Sequence, residues 1–187
     1  AAFAQLARGG REQGLERGLG PGTECRNAPY GVGRFGRRGI EQCGDRVRLV
    51  LAPMDRIPAQ DRSFDFIVAH GIWNLARSGR EFRAAVREAA RVAAPGARLF
   101  VFTFSRHTLP PEEVPVPGET FVFTSFAGEP QVFLTHAQLV AGLGAAGFAP
   151  DPELRIRELN LPAPGARRLT GSPVIFEGGF QYSERLP

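Results

Sequence analysis

The sequence predicts an α/β domain built on a mostly parallel sheet, and three observations carry that reading. From Arg46 onward, short apolar runs alternate with helical patterns of ordinary length. Two of those helical patterns open with capping boxes. The apolar run at 64–70 is nearly continuous, as suits a strand covered on both faces.

The elements follow in order. VRLVLA at 47–52 reads as a short strand and FDFIVAH at 64–70 as a second one. Ser78 and Glu81 form a capping box, in which Ser78 caps the amide of Glu81 and Glu81 reaches back. Behind it Phe82, Ala85, Val86, Ala89 and Ala93 fall on one face of an amphipathic helix, with Arg80, Arg83, Arg87 and Arg91 off that stripe on an expected solvated face. Glu88 and Arg91, three residues apart, read as a structural ion pair. Pro95 and Gly96 are expected to end the helix. RLFVFTF at 98–104 is the most apolar strand and is placed at the centre. A Pro-rich stretch and a hairpin come next, with its arms at 120–126 and 131–134 around Gly128 and Pro130. Thr135 and Gln138 form a second capping box, opening a helix that stops at Gly147. Residues 154–159 and 173–181 are the last two strand candidates. In such a sheet ligands bind beyond the carboxyl ends of the strands, at the turns after Ala52, His70 and Phe104.

The first 45 residues differ. They hold 11 of the 23 glycines and seven arginines, too little side-chain volume and too much backbone freedom for core strands. Two regions follow: an irregular Gly/Arg-rich segment at 1–45, and an α/β domain at 46–187 with a hairpin insertion near 107–134.

Composition narrows the function. Of 187 residues, 43% are hydrophobic and 22% charged, an ordinary globular balance. No apolar run is long enough to span a membrane, and no signal peptide opens the chain, so a cytoplasmic protein without a membrane partner is expected. There is no lysine: all 23 basic residues are arginine, against a formal net charge of only +4. The arginines are scattered rather than gathered with aromatics on one face, so a nucleic-acid partner is not expected. Cys25 and Cys43 form no CxxC pair and have no histidine at ligand spacing, which predicts no metal site.

Three landmarks then bring in a family. APMDRIPAQDRSFD at 52–65 runs into Ile67 to Gly71, EAARVAAPG at 88–96 leads into the central strand, and Phe133 to Thr135, Leu139 and Ala146-Gly147-Phe148 mark the next helix. In this order the chain resembles class I S-adenosylmethionine-dependent methyltransferases of the small-molecule type, the methyltransferase type 11 and tellurite-resistance-like kind, over about 46–181. The resemblance implies a Rossmann-like, three-layer fold, mostly parallel with an antiparallel last strand, whose first strands here are incomplete or irregular. It implies S-adenosylmethionine as cofactor and a small-molecule methyl acceptor as partner.

The family's glycine-rich turn is matched best by LGPGTECRNAPY at 19–30, where Gly20 and Gly22 correspond. Pro21 removes an amide there, and Glu24 stands near the expected third glycine. Glu41 is the nearest counterpart of the acidic residue that would meet the ribose. By resemblance, Asp55 would meet the adenine amino group, with Met54 against the ring, and Ala69, His70 and Gly71 would line the methionine part. His70 is also the candidate general base. Trp73, Asn74 and His107 are placed at the substrate pocket. Methyl transfer from a sulfonium is an in-line displacement that needs alignment more than a covalent nucleophile or metal. The alternative is a catalytically inactive methyltransferase-like binding or interaction module that has lost its cofactor turn. Loss of the first strands would also leave a sheet edge able to pair with a second copy, giving a homodimer.

Overall fold

The computed structural model describes residues 5–7, 50–125, 128–162 and 172–184. A six-stranded mixed sheet carries the fold. Its strands are β1 (Gln5–Ala7), β2 (Phe64–His70), β3 (Ala93–Phe104), β6 (Phe148–Pro150), β7 (Arg157–Leu159) and β8 (Ile175–Tyr182). β4 (Val122–Phe123) and β5 (Gln131–Val132) form a separate hairpin, and the helices are α1 (Gly79–Val92) and α2 (His136–Gly144).

β3 lies between β2, its parallel neighbour, and β8, which runs antiparallel to it. β6 and β7 each pair antiparallel with β8, so β2, β3, β6 and β7 share one direction. β8 opposes them, as does β1 on the far side of β2. This is the expected Rossmann-like α/β sheet with its antiparallel last strand.

The two faces of the sheet differ. Ile67 and Ala69 of β2, Leu99, Val101 and Thr103 of β3, and Phe176 and Phe180 of β8 share rows across one face and are buried. Against them pack Phe82, Ala85, Val86 and Ala89 of α1 with Leu139 and Leu143 of α2. Alternate residues Phe66, Val68 and His70, with Phe100 and Phe102, line the opposite face and are half-buried or exposed. The described residues place helices on one face of the sheet only.

Both helix starts form as the capping boxes predict, with one variation. Thr135 Oγ1 accepts from the Gln138 amide while Gln138 Oε1 accepts from the Thr135 amide. At α1 Ser78 Oγ accepts from the Glu81 amide at 3.1 Å. The Glu81 carboxylate instead accepts from the Arg77 amide, one residue before the cap, at 2.7 Å.

Five expectations need correction. α1 ends at Val92, three residues before Pro95, because the last carbonyls of the helix are already taken. Arg91 and Val92 accept from the amides of Arg62 and Ser63, each at 2.9 Å, and this draws Ala93 into register with Phe64. β3 therefore starts at Ala93 rather than Arg98, and Pro95-Gly96 sits in the shifted register of its opening, with Gly96 at φ +79°. The described part of the expected strand at 47–52 is not a strand: Val50 and Leu51 are exposed and Ala52 makes a lone bridge. Its apolar pattern has no ladder to join among the described residues, and strand propensity acts only through neighbours. β6 was not anticipated, and β7 is confined to Arg157–Leu159.

Candidate active site

Three loops meet the carboxyl side of the sheet or lead into it. The first, residues 53–63, carries Met54 and Asp55 and feeds β2. Met54 packs against the core and Asp55 is exposed in a turn. This loop is bound to α1 by one ion pair. Arg91 Nε and Nη2 donate to the two oxygens of Glu88 at 2.9 and 2.7 Å. The same guanidinium donates to the carbonyls of Ile57 and Ala59 and to Asp61, while Glu88 accepts from the Ile57 amide at 2.6 Å. A planar fork suits this many simultaneous bonds; an ammonium does not.

The pair is electrostatically tuned. The Arg91 hydrogen bonds hold the Glu88 carboxyl below its ordinary 4.5, against the opposing effect of burial. Glu88 and then Asp61 raise the Arg91 guanidinium in turn. A carboxylate lowered in the folded state contributes stability that is complete above its unfolded value and is lost as pH falls through its folded one. Glu88→Gln is therefore expected to flatten the acid side of a plot of urea midpoint against pH, below about pH 4.5. A slope equal to wild type there would show that the pair contributes nothing.

The second loop begins at the end of β2. His70 is exposed, and its ring stacks on Phe102 of β3 at 4.3 Å and 12°. Gly71 turns the chain in the left-handed region, φ +65°, with its amide on the Phe102 carbonyl. That conformation favours glycine. A short 3-10 turn over Trp73–Leu75 then buries Trp73 in the core, edge-on to Phe82 at 6.2 Å. The expected pocket-lining role of Trp73 thus gives way to packing. Asn74 is 3% exposed, and its Oδ1 is buried with no hydrogen-bond partner. It lies beside Gly71, 3.8 Å from where a Cβ on that residue would stand.

The third loop follows β3. Ser105 is fully buried and caps a 3-10 turn, Arg106–Thr108, by accepting from the His107 amide at 3.0 Å. His107 Nδ1 lies 2.7 Å from Glu158 Oε1 on β7, and the Ser105 hydroxyl donates to the same oxygen. Neither Ser105 nor Glu158 is marked by any motif in the sequence. Ser105 is beside His107 in the chain, whereas only the β3–β8–β7 register brings Glu158 to it across 51 residues. Ala69 is buried in β2. Gly20, Gly22 and Glu41 lie outside the described residues, as do Cys25 and Cys43. Among the described residues no helix is long and apolar enough to cross a membrane.

This sheet, with its turns at the carboxyl ends of β2 and β3, agrees with what comparison with known proteins shows. Residues 31–101 match the family described as Methyltransferase domain. Over those residues the chain is similar in sequence to methyltransferase domains, and over the described residues it shares the fold of S-adenosylmethionine-dependent methyltransferases.

The relatives are more particular. The chain is similar to the demethylmenaquinone methyltransferase of Corynebacterium urealyticum, 32% identical over 110 residues that make up 56% of this chain and 46% of that protein. It is also similar to the ubiquinone/menaquinone biosynthesis C-methyltransferase UbiE of Hahella chejuensis, 38% identical over 68 residues, or 36% of this chain and 26% of that one. The chain thus matches less than half the length of these relatives.

Among solved structures, the 1,6-didemethyltoxoflavin-N1-methyltransferase of Burkholderia thailandensis, which holds S-adenosylhomocysteine, shares the fold at a TM-score of 0.55 and 18% identity. That likeness covers 79% of this chain and 56% of the other. An S-adenosylmethionine-dependent methyltransferase from Methanosarcina mazei shares it at 0.50 and 23%, over 71% of this chain and 65% of that one.

Proposed function

We propose that the chain binds S-adenosylmethionine beyond the carboxyl end of β2 and directs methyl transfer to a small-molecule acceptor. The observation that carries this reading is Asn74. A buried polar atom without a partner costs about 1–3 kcal/mol, so proteins rarely keep one that nothing uses. Here it stands beside a left-handed glycine at the end of a strand, where sheets of this kind take their ligands.

A donor group fits that position, and the ammonium of the cofactor's methionine part is one. Ala69, His70 and Gly71 border the same end of β2, and the loop held by Glu88 and Arg91 carries Met54 and Asp55 for the adenine side. When bound, the cofactor supplies an activated methyl on sulfur; the chain's part is to align it with the acceptor and keep water out. The names of the curated relatives make a hydroquinone ring the first acceptor to try.

Titration calorimetry with S-adenosylhomocysteine tests the binding step. Heat and a raised melting temperature are expected, since a ligand of the native state stabilises it. Asn74→Leu separates this site from any other. The variant should bind about tenfold more weakly, while its unliganded stability stays level or rises, because an unpaired buried acceptor has been removed. Neither heat nor thermal shift at millimolar ligand would overturn the reading in favour of a non-catalytic binding module.

A further inference from the structure

Between β3 and β7 lies a group of three side chains that the cofactor-side residues leave unused. Glu158 Oε1 receives the Ser105 hydroxyl and faces His107 Nδ1 at 2.7 Å. An ionised carboxylate only accepts hydrogen bonds. Nδ1 must therefore carry the proton of the neutral ring, and Nε2 is left with its lone pair. The Ser105 hydroxyl must donate to that carboxylate for the same reason, while its oxygen accepts from the His107 amide at 3.0 Å.

The arrangement is rigid on one side and open on the other. Ser105 is fully buried, and the Glu158 side chain is 21% exposed, whereas that of His107 is 64% exposed. No group among the described residues bonds Nε2. The nearby charges are otherwise engaged. Arg106 donates to the carbonyls of residues 109, 110, 111 and 113 and lies over the Phe123 ring, and Arg157 pairs with Glu177.

A base held in one tautomer by a carboxylate, with its free nitrogen facing outward at the carboxyl end of a central strand, is what proton removal from a bound acceptor requires. We propose that His107 is the proton acceptor for the methyl-accepting molecule, and that Glu158 and Ser105 are its positioning residues. This assignment rests on the methyltransferase reading and moves the general base from His70 to His107. His70 lies flat on Phe102 and has no carboxylate on either nitrogen among the described contacts.

The acceptor class follows: a molecule whose reacting site gains electron density by losing a hydroxyl proton, as a hydroquinone or phenol does. Its O–H proton passes to Nε2, and the oxygen's electrons delocalise into the ring. With S-adenosylmethionine bound, the ring carbon's pair would form the bond to the methyl carbon while the carbon–sulfur pair stayed with sulfur as a neutral thioether. The positive charge that leaves sulfur reappears on the imidazolium, where Glu158 neutralises it. Loss of the displaced ring proton to water restores the aromatic ring.

The test uses the purified chain with S-adenosylmethionine and the hydroquinone of 2-prenyl-1,4-naphthoquinone. His107→Gln should lower kcat about 10²–10³-fold, with KM for the hydroquinone and the affinity for S-adenosylhomocysteine within about twofold of wild type. Glu158→Gln should lower kcat by about tenfold. Activity of His107→Gln within twofold of wild type would overturn the proposal.

Nitrogen-15 spectra of the three histidines supply a readout that needs no turnover. His107 should show a protonated Nδ1 and an unprotonated Nε2. The Nε2 signal should move when the hydroquinone joins the complex with S-adenosylhomocysteine. The opposite tautomer, or an Nε2 signal that does not move, overturns the assignment even if no product forms. Failure of wild type to bind S-adenosylhomocysteine would instead remove the methyltransferase reading, and this proposal with it.

Discussion

Phe82→Ala is expected to cost about 3–5 kcal/mol of folding stability, read as a lowered urea midpoint with an unchanged slope. Phe82 is 1% exposed and stands where four parts of the chain meet. From α1 its ring lies edge-on to Trp73 at 6.2 Å and to Phe121, ahead of the hairpin, at 5.6 Å. It also lies under Gly142 of α2, where an added Cβ would come within 3.1 Å of it. Three neighbours on three different segments cannot all move inward to fill the space, so most of the cavity persists. At about 2–4 °C per kcal/mol for a chain of this size, the melting temperature should fall by roughly 10 °C. A loss below about 1 kcal/mol would mean that these segments repack freely, contrary to the packing described here.

The second large effect is expected at Arg91. Removing one partner of a buried pair leaves the other charged without compensation, a larger loss than the pair's own worth. Glu88 is 11% exposed on its side chain and Arg91 33%. Water thus screens part of the interaction, and Arg91→Ala should cost about 2–4 kcal/mol rather than the full value for a dry pair. The loop should respond more than the helix, because the carbonyls of Ile57 and Ala59 lose their donor. Hydrogen exchange is expected to speed up over residues 54–62 and to change little over the first two turns of α1. Arg91→Lys should recover less than half of the loss, since a single ammonium cannot reach Glu88, Asp61 and two carbonyls together. Full recovery by lysine would show that charge alone holds the loop.

What the sequence revealed depended on how local the signal was. The starts of α1 and α2 were legible because each capping box is complete within four residues, Ser78 to Glu81 and Thr135 to Gln138. β2 and β3 announced themselves by apolar runs that no helix face would tolerate. The end of α1 was not legible: Pro95-Gly96 is a strong local stop, but the amides of Arg62 and Ser63, thirty residues earlier, took the last carbonyls first. β6 escaped notice because only Phe148 of its three residues is buried, and its pairing with β8 does the rest.

The candidate site divides in the same way. Asp55, His70, Gly71 and Asn74 sit beside recognisable motifs and were picked out from them. Glu158 became visible only when the register of three strands placed it beside His107, and Ser105 only as the cap of the turn that carries the histidine. The ion pair of Glu88 and Arg91 was read correctly, but its hold on the loop at 57–61 could not be seen from a helix spacing.

β8 governs the order in time in which this sheet can be assembled. β6 and β7 pair with no described strand other than β8, so neither has a ladder partner until residues 175–182 arrive. β3 must wait equally long for its antiparallel neighbour, across a loop that contains the hairpin and all of α2. Pairing at such separation is slow, because the entropy of closing the loop is lost before any contact rewards it. The unit of β2, α1 and β3 can form early from adjacent sequence, whereas the Ser105, His107 and Glu158 group comes together only at the last step. A nascent chain therefore has its central strands in place well before it has the histidine group, and that late arrival makes the group a reporter of complete folding.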